Sequence, residues 1–186
     1  RPIQAPSRRS SVTDSPVTGA YVHIYQQARA VQFLRPESVI SNAGGWALNP
    51  LSIEASLAGA IDEVEPNASD FIYVIDGTAA VCEVALSDPT GAITAADHYL
   101  RWLYHLPNAP TGTWTITANL YKGATLIATS TATGTGATSG PTAVEYALTT
   151  GGGGEIAAIG TYTDLRIRFT ATAEGYAPSS EKVQLP

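Results

Sequence analysis

The segment spanning residues 164–173 alternates apolar and polar side chains without interruption. Its apolar members are Leu165, Ile167, Phe169, Ala171 and Ala173, and its polar members are Arg166, Arg168, Thr170 and Thr172. Successive side chains of a β-strand point to opposite faces, whereas the 3.6-residue period of a helix would mix the two sets. The segment therefore predicts a half-buried strand with one apolar face and one Arg/Thr face.

The same alternation recurs along the chain and predicts an all-β fold. Strands are expected in residues 71–76, 80–87, 97–106, 114–121, 124–131, 144–148 and 182–185, with a tight hairpin turn at Lys122-Gly123. A short helical turn is expected within 56–65, and a loop runs from Pro36 to Trp46. Because helix-sized connections between strands are absent, the pattern favours an antiparallel β-sandwich, jelly-roll-like, over parallel βαβ units.

The first part of the chain has a different character. Residues 1–18 contain three Pro, four Ser and two Thr with few apolar residues, which is typical of an extended arm. Short strands are expected in 20–27 and 31–34. The sequence therefore divides into an N-terminal arm with anchoring strands, residues 1–43, and a β-sandwich domain, residues 44–186. Arg8-Arg9 is followed by polar residues, so it predicts no secretion signal. The chain contains no Met, which leaves open whether residues precede Arg1.

Charge is unevenly distributed along the chain. Residues 1–35 carry a net charge of +4, residues 36–100 carry ten acids and no Lys or Arg, and the remainder is balanced. A net charge of −6 argues against nucleic-acid binding, because the phosphate backbone would repel an acidic body. We expect Arg1, Arg8 and Arg9 to anchor the arm on an acidic partner surface. Arg166 and Arg168 are expected to pair with the acidic stretch, within one subunit or between two.

No residue pattern indicates catalysis, a metal or a cofactor. His98 and His105 lie an odd number of positions apart on one predicted strand, so they should face opposite sides. The glycine-rich stretches lack the spacing of phosphate-binding loops, and no Ser has the setting of a nucleophile elbow. The single cysteine, Cys82, alternates with apolar neighbours and is expected to be a buried thiol. No apolar run reaches the ~20 residues of a membrane-spanning helix.

The three tryptophans are the candidates for stacking on a sugar ring. Trp114 shares its face with Ile116, Ala118 and Leu120, so we expect it in the core. Trp102 lies in a strand that is apolar on both faces, which predicts burial on both sides. Trp46 lies in a glycine-rich loop and is the one expected to be exposed and to contact a glycan.

From Gly44 onward the chain resembles a small β-sandwich domain of tailed-bacteriophage virion proteins. The matching stretches are Gly44-Gly45-Trp46, residues 57–72, residues 81–87 (VCEVALS), the hairpin 120–128 (LYKGATLIA) and residues 162–170 (YTDLRIRFT). Their order and spacing carry the resemblance, which covers about three quarters of the chain. It implies a jelly-roll-like structural component of the virion and no catalytic residues. The arm lies outside it.

These observations together favour a bacteriophage virion structural protein over an enzyme. The resemblance implies a capsid decoration, head-fibre or tail-associated protein that is assembled in the host cytoplasm and resides in the virion. Its partners would be other virion proteins and further copies of itself, with neither nucleic acid nor membrane. The alternative is a carbohydrate-binding module that mediates attachment to a glycan or host surface through Trp46.

Overall fold

The computed structural model describes residues 34–43, 45–48, 50, 54–61, 71–74, 80–90, 98–106, 110, 112–173 and 183–185. These residues belong to a single unit. Its strands are β1 (Pro36–Ala43), β2 (Ala47–Leu48), β3 (Ile72–Val74), β4 (Ala80–Leu86), β5 (Tyr99–Tyr104), β6 (Trp114–Lys122), β7 (Thr125–Gly134), β8 (Thr142–Ala147), β9 (Leu165–Ala173) and β10 (Val183–Leu185). A 3-10 helix spans Gly59–Ile61, and helix α1 spans Glu155–Ile159.

The strands form three antiparallel sheets, which confirms the predicted all-β, sandwich-like fold. The main sheet has five strands in the order β1-β4-β9-β6-β7. A three-stranded sheet has the order β10-β3-β2, and β5 pairs with β8. Residues 1–33 of the predicted N-terminal arm lie outside the described residues.

Strand β9 occupies the centre of the main sheet and has the alternation predicted for it. Leu165, Ile167 and Phe169 are buried, whereas Arg166 and Arg168 are half-buried on the opposite face. Antiparallel pairing joins β9 to β4 on one side and to β6 along its whole length on the other. The apolar face of β9 thereby becomes the middle of the core.

The core lies between the main sheet and the β5–β8 pair. The Trp102 ring of β5 packs against the Phe169 ring of β9, with 6.5 Å between centroids, and its indole Nε1 donates to Ser130 Oγ of β7 over 2.9 Å. The Tyr104 ring packs on the Trp114 ring at 5.3 Å. These contacts confirm Trp114 as a core residue and hold the two sheets together.

Burial of both faces of β5 was a wrong prediction. Leu100, Trp102 and Tyr104 face the core, but Tyr99 and Arg101 on the other face are exposed. Strand β8 pairs with β5 edge to edge and does not cover it. Two of the aromatic residues of β5, Trp102 and Tyr104, therefore lie on its buried face, and the third, Tyr99, is exposed.

The loop expected between Pro36 and Trp46 was also wrong over most of its length. Residues Pro36–Ala43 form β1, which pairs with β4 and includes two register shifts. Serine and asparagine side chains weaken the strand pattern in this segment, but pairing with a buried neighbour overrides local propensity. The main sheet thus begins before residue 44, on the arm side of the predicted domain boundary.

Two local predictions agree closely with the structure. The hairpin between β6 and β7 turns at Gly123-Ala124, one residue later than expected, and Gly123 adopts a φ of +56° that few other residues tolerate. Cys82 is fully buried on the core face of β4, and this burial raises the pKa of its thiol to about 11.

Candidate functional site

The outer face of the five-stranded sheet carries the most organised group of polar side chains among the described residues. Its members come from the residues of β4, β6, β7 and β9 that alternate with the core residues. They are Glu83, Thr115, Thr117, Asn119, Tyr121, Thr129, Thr131, Thr133, Arg166, Arg168, Thr170 and Thr172. We call this surface the outer face. It divides into a charged cluster and a threonine area.

The charged cluster is built around Glu83, only 6% of which is exposed. Arg168 lies directly opposite Glu83 in the β4–β9 register, and its Nε donates to Glu83 Oε2 over 2.7 Å while Nη2 lies 2.6 Å from the same oxygen. Arg166 Nη1 lies 3.7 Å from Glu83 Oε1. The hydrogen bond that Arg168 donates to the Glu83 carboxylate raises the pKa of the Arg168 guanidinium above its usual value.

Further contacts hold both arginines in place. Arg168 lies over the Tyr121 ring, 4.6 Å from its centroid, and its Nη1 donates to the Tyr121 hydroxyl over 3.2 Å. Arg166 donates to Asp164 Oδ1 from Nε and Nη2 over 3.2 and 3.0 Å. The predicted pairing of these arginines with the acidic stretch is therefore confirmed for Glu83, within one subunit.

The threonine area consists of two rows that cross three neighbouring strands. One row contains Thr172, Thr115 and Thr133, and the other contains Thr170, Thr117 and Thr131. Their hydroxyls approach one another, with Oγ1 atoms 3.4 Å apart between Thr115 and Thr133 and 3.5 Å apart between Thr117 and Thr131. Each row repeats at the strand spacing of roughly 5 Å, so methyl and hydroxyl groups form a regular, uncharged surface.

Trp46 is not on any exposed surface, and its predicted exposure is wrong. Only 3% of the residue is exposed, and it belongs to the core. Gly45 has a φ of +83°, and the Asn42 side-chain amide donates to the Trp46 carbonyl over 2.7 Å. This turn directs the indole inward, so the ring cannot stack on a sugar in the described conformation.

The structure exposes a different aromatic residue, Tyr99. It lies on the outer side of the β5–β8 pair and is 47% exposed. The Arg101 guanidinium carbon lies 5.3 Å from the centre of the Tyr99 ring, and Arg101 Nε pairs with Glu145 Oε2 of β8 at 2.6 Å. An exposed ring beside an ion pair is a small patch that could contact a sugar or a protein.

The remaining predicted site residues are located as follows. Arg1, Arg8 and Arg9 lie outside the described residues. The His98 ring stacks on the Tyr162 ring with 5.2 Å between centroids. The backbone carbonyl of His98 accepts a hydrogen bond from the Leu148 amide. Sequence reasoning missed Tyr121, the specific role of Glu83 and the threonine rows, although the repeats Thr115-x-Thr117, Thr129-x-Thr131-x-Thr133 and Thr170-x-Thr172 were visible.

No family model, curated protein or solved structure matches this chain. Within the part of the chain that the structure describes, no three His, Cys, Asp or Glu side chains gather as metal ligands would. Likewise, none of the described helices has the length and apolarity needed to cross a membrane.

Proposed function

We propose that this protein is a bacteriophage virion structural protein that acts through assembly contacts as a capsid decoration, head-fibre or tail-associated subunit. It works in the virion, after assembly in the host cytoplasm, and its partners are other virion proteins and copies of itself. The proposal rests on the resemblance of residues 44–186 to such domains and on the outer face of the sheet. No catalytic role is proposed for any residue.

The observation that carries the proposal is the pre-ordered charged cluster on this face. The outer face of a sheet suits a broad protein contact, whereas small-molecule sites are usually concave. Glu83 and Tyr121 already hold Arg168 in place. The Arg168 side chain therefore loses little conformational freedom when a partner binds it. Both arginine side chains are partly exposed, so Arg166 and Arg168 can meet carboxylates of a neighbouring subunit.

The arm supplies the second part of the proposal. Arg1, Arg8 and Arg9 would bind an acidic surface of the virion or of a sister subunit, and the sandwich would be displayed outside it. Repetition of the subunit would convert weak single contacts into avid attachment. This division assigns anchoring to the part of the predicted arm that precedes β1, and display to the sheets.

The test is to quantify the chain in tailed-phage particles purified from its source. We expect a fixed number of copies per particle by mass spectrometry. A number matching the capsid lattice would indicate decoration, and a small multiple of three or six would indicate the tail or neck. Deletion of residues 1–18 should leave a folded domain that no longer enters the particle. Absence of the full-length chain from particles would refute the proposal.

A second candidate function, glycan attachment, is supported by Tyr99 instead of Trp46. The exposed ring can stack on a sugar, and Arg101 and Glu145 can hydrogen-bond its hydroxyls. If this function is correct, the wild-type protein binds members of a glycan array and Tyr99→Ala loses that binding. Trp46→Ala is the comparison for the earlier hypothesis. Signal at background for the wild-type protein would leave the structural role alone.

A further inference from the structure

The two edges of the five-stranded sheet are built differently. Strand β1 begins at Pro36, carries Glu37 and has two register shifts against β4. Proline, charge and bulges are the devices by which proteins prevent an edge strand from pairing with another chain. Strand β1 therefore has the features of an edge that is protected from further pairing.

Strand β7 has almost none of these features. Its ten residues, Thr125–Gly134, contain no charge and no proline, and one register shift lies near the hairpin turn. Among the described residues, β7 pairs only with β6, and its backbone forms no hydrogen bond with any strand other than β6. A long, regular and uncharged edge is a template for strand addition.

The side chains of β7 indicate which strand fits there. Pairing a strand with its own copy usually sets like charges opposite each other, and such pairs are destabilising. In β7 no charge exists to be opposed. If two copies pair antiparallel about Thr131, every outward pair is Thr with Thr: Thr129 with Thr133, Thr131 with Thr131, and Thr133 with Thr129. The inward pairs join Ser130 with Ala132, both of them small.

We propose that β7 is a self-association edge, on which a second copy of this chain adds its own β7 in antiparallel, two-fold symmetric pairing. The two five-stranded sheets become one continuous sheet, and the threonine rows run without interruption across the junction. This inference is independent of the virion assignment, because it concerns the isolated protein. Pairing satisfies at once the outward amide and carbonyl groups of both edges, which no backbone group of the described residues pairs with.

The test compares one lysine at the edge with one lysine in the interior of the same row. Thr131→Lys would attach two lysines at backbone positions about 5 Å apart across the two-fold axis, whereas Thr117→Lys, one strand further in, would attach them roughly 15 Å apart. The second distance exceeds the ~10 Å Debye length at moderate salt. By sedimentation equilibrium, Thr131→Lys is expected to halve the wild-type mass and Thr117→Lys to preserve it.

A cross-linking measurement checks the register. Directly opposite residues have Cβ atoms about 4.5–5.5 Å apart, which is close to the reach of a disulfide. Thr131→Cys should form a covalent dimer on mild oxidation, whereas Thr117→Cys should not, and the buried Cys82 should not contribute. Far-UV circular dichroism confirms that each variant is folded.

Three outcomes overturn the inference. The wild-type protein could be a monomer at micromolar concentration, which would leave the edge unused or covered by the chain itself. Thr131→Lys could keep the wild-type mass, which would indicate pairing through β1, where Val39 and Ile40 are exposed. Both lysine variants could dissociate equally, which would indicate that the outer faces stack instead of the edges pairing.

Discussion

Replacing Arg168 with alanine is expected to lower the free energy of unfolding by about 3 kcal/mol, because it leaves the Glu83 carboxylate nearly buried without its closest partner. Both short contacts to Glu83 and the stacking on Tyr121 disappear together. The value lies at the lower end of the range for broken buried pairs, since 39% of the Arg168 side chain is exposed and Arg166 remains near Glu83. Equilibrium denaturation of the purified protein with guanidinium chloride measures this loss in the free energy of unfolding.

Arg166→Ala is the matched control, two residues away on the same face. Its best contact is with Asp164, an exposed partner, and exposed ion pairs contribute at most about 1 kcal/mol. Arg168→Lys should fall between the two, because lysine keeps the charge but loses the planar fork and the ring stacking. Equal losses for the two alanine variants would contradict the central position given to Glu83.

Replacing Trp102 with alanine is expected to cost about 4 kcal/mol, the largest effect of a single substitution considered for this chain. The indole fills the space between the sheets, touching Tyr104 and Phe169, and its removal opens a cavity there. It also leaves the Ser130 hydroxyl buried without the indole donor. Thermal and chemical denaturation, read by the fluorescence of the other tryptophans, give the loss.

Two smaller substitutions separate these contributions. Ser130→Ala removes only the hydrogen bond and should cost about 1–2 kcal/mol, because the indole N–H stays buried. Leu103→Ala, on the same strand but on its half-exposed face, should cost less than the Trp102 variant by at least about 2 kcal/mol. A Leu103 loss as large as that of Trp102 would mean that both faces of β5 are covered after all.

The sequence predicted strands well and contacts between strands poorly, for a physical reason. Alternation is a local property, so β9, β6 and β4 could be recognised with their buried sides. Register depends on which distant strand becomes the neighbour, and Glu83 and Arg168 are 85 positions apart. A surplus of acid in one region and arginines in another indicated attraction, but not which carboxylate would be buried.

Trp46 and β1 are two places where the local sequence pattern predicted the wrong structure. A glycine-rich loop was expected to expose its tryptophan, yet a positive φ at Gly45 turned the ring into the core. The polar segment of β1 was expected to be a loop, yet it pairs as a strand with β4. In both cases the tertiary surroundings decided the outcome, and a window of neighbouring residues does not contain them.

The central position of β9 has a consequence for how the protein is made. Its two neighbours, β4 and β6, are synthesised well before it, and they do not pair with each other in the sheet. Until residue 173 has left the ribosome, the main sheet can contain only two separate pairs, β1 with β4 and β6 with β7, each with an unpaired inner edge. The main sheet is completed only by insertion of β9 between β4 and β6, so nascent chains are vulnerable to misassociation until that strand has been synthesised.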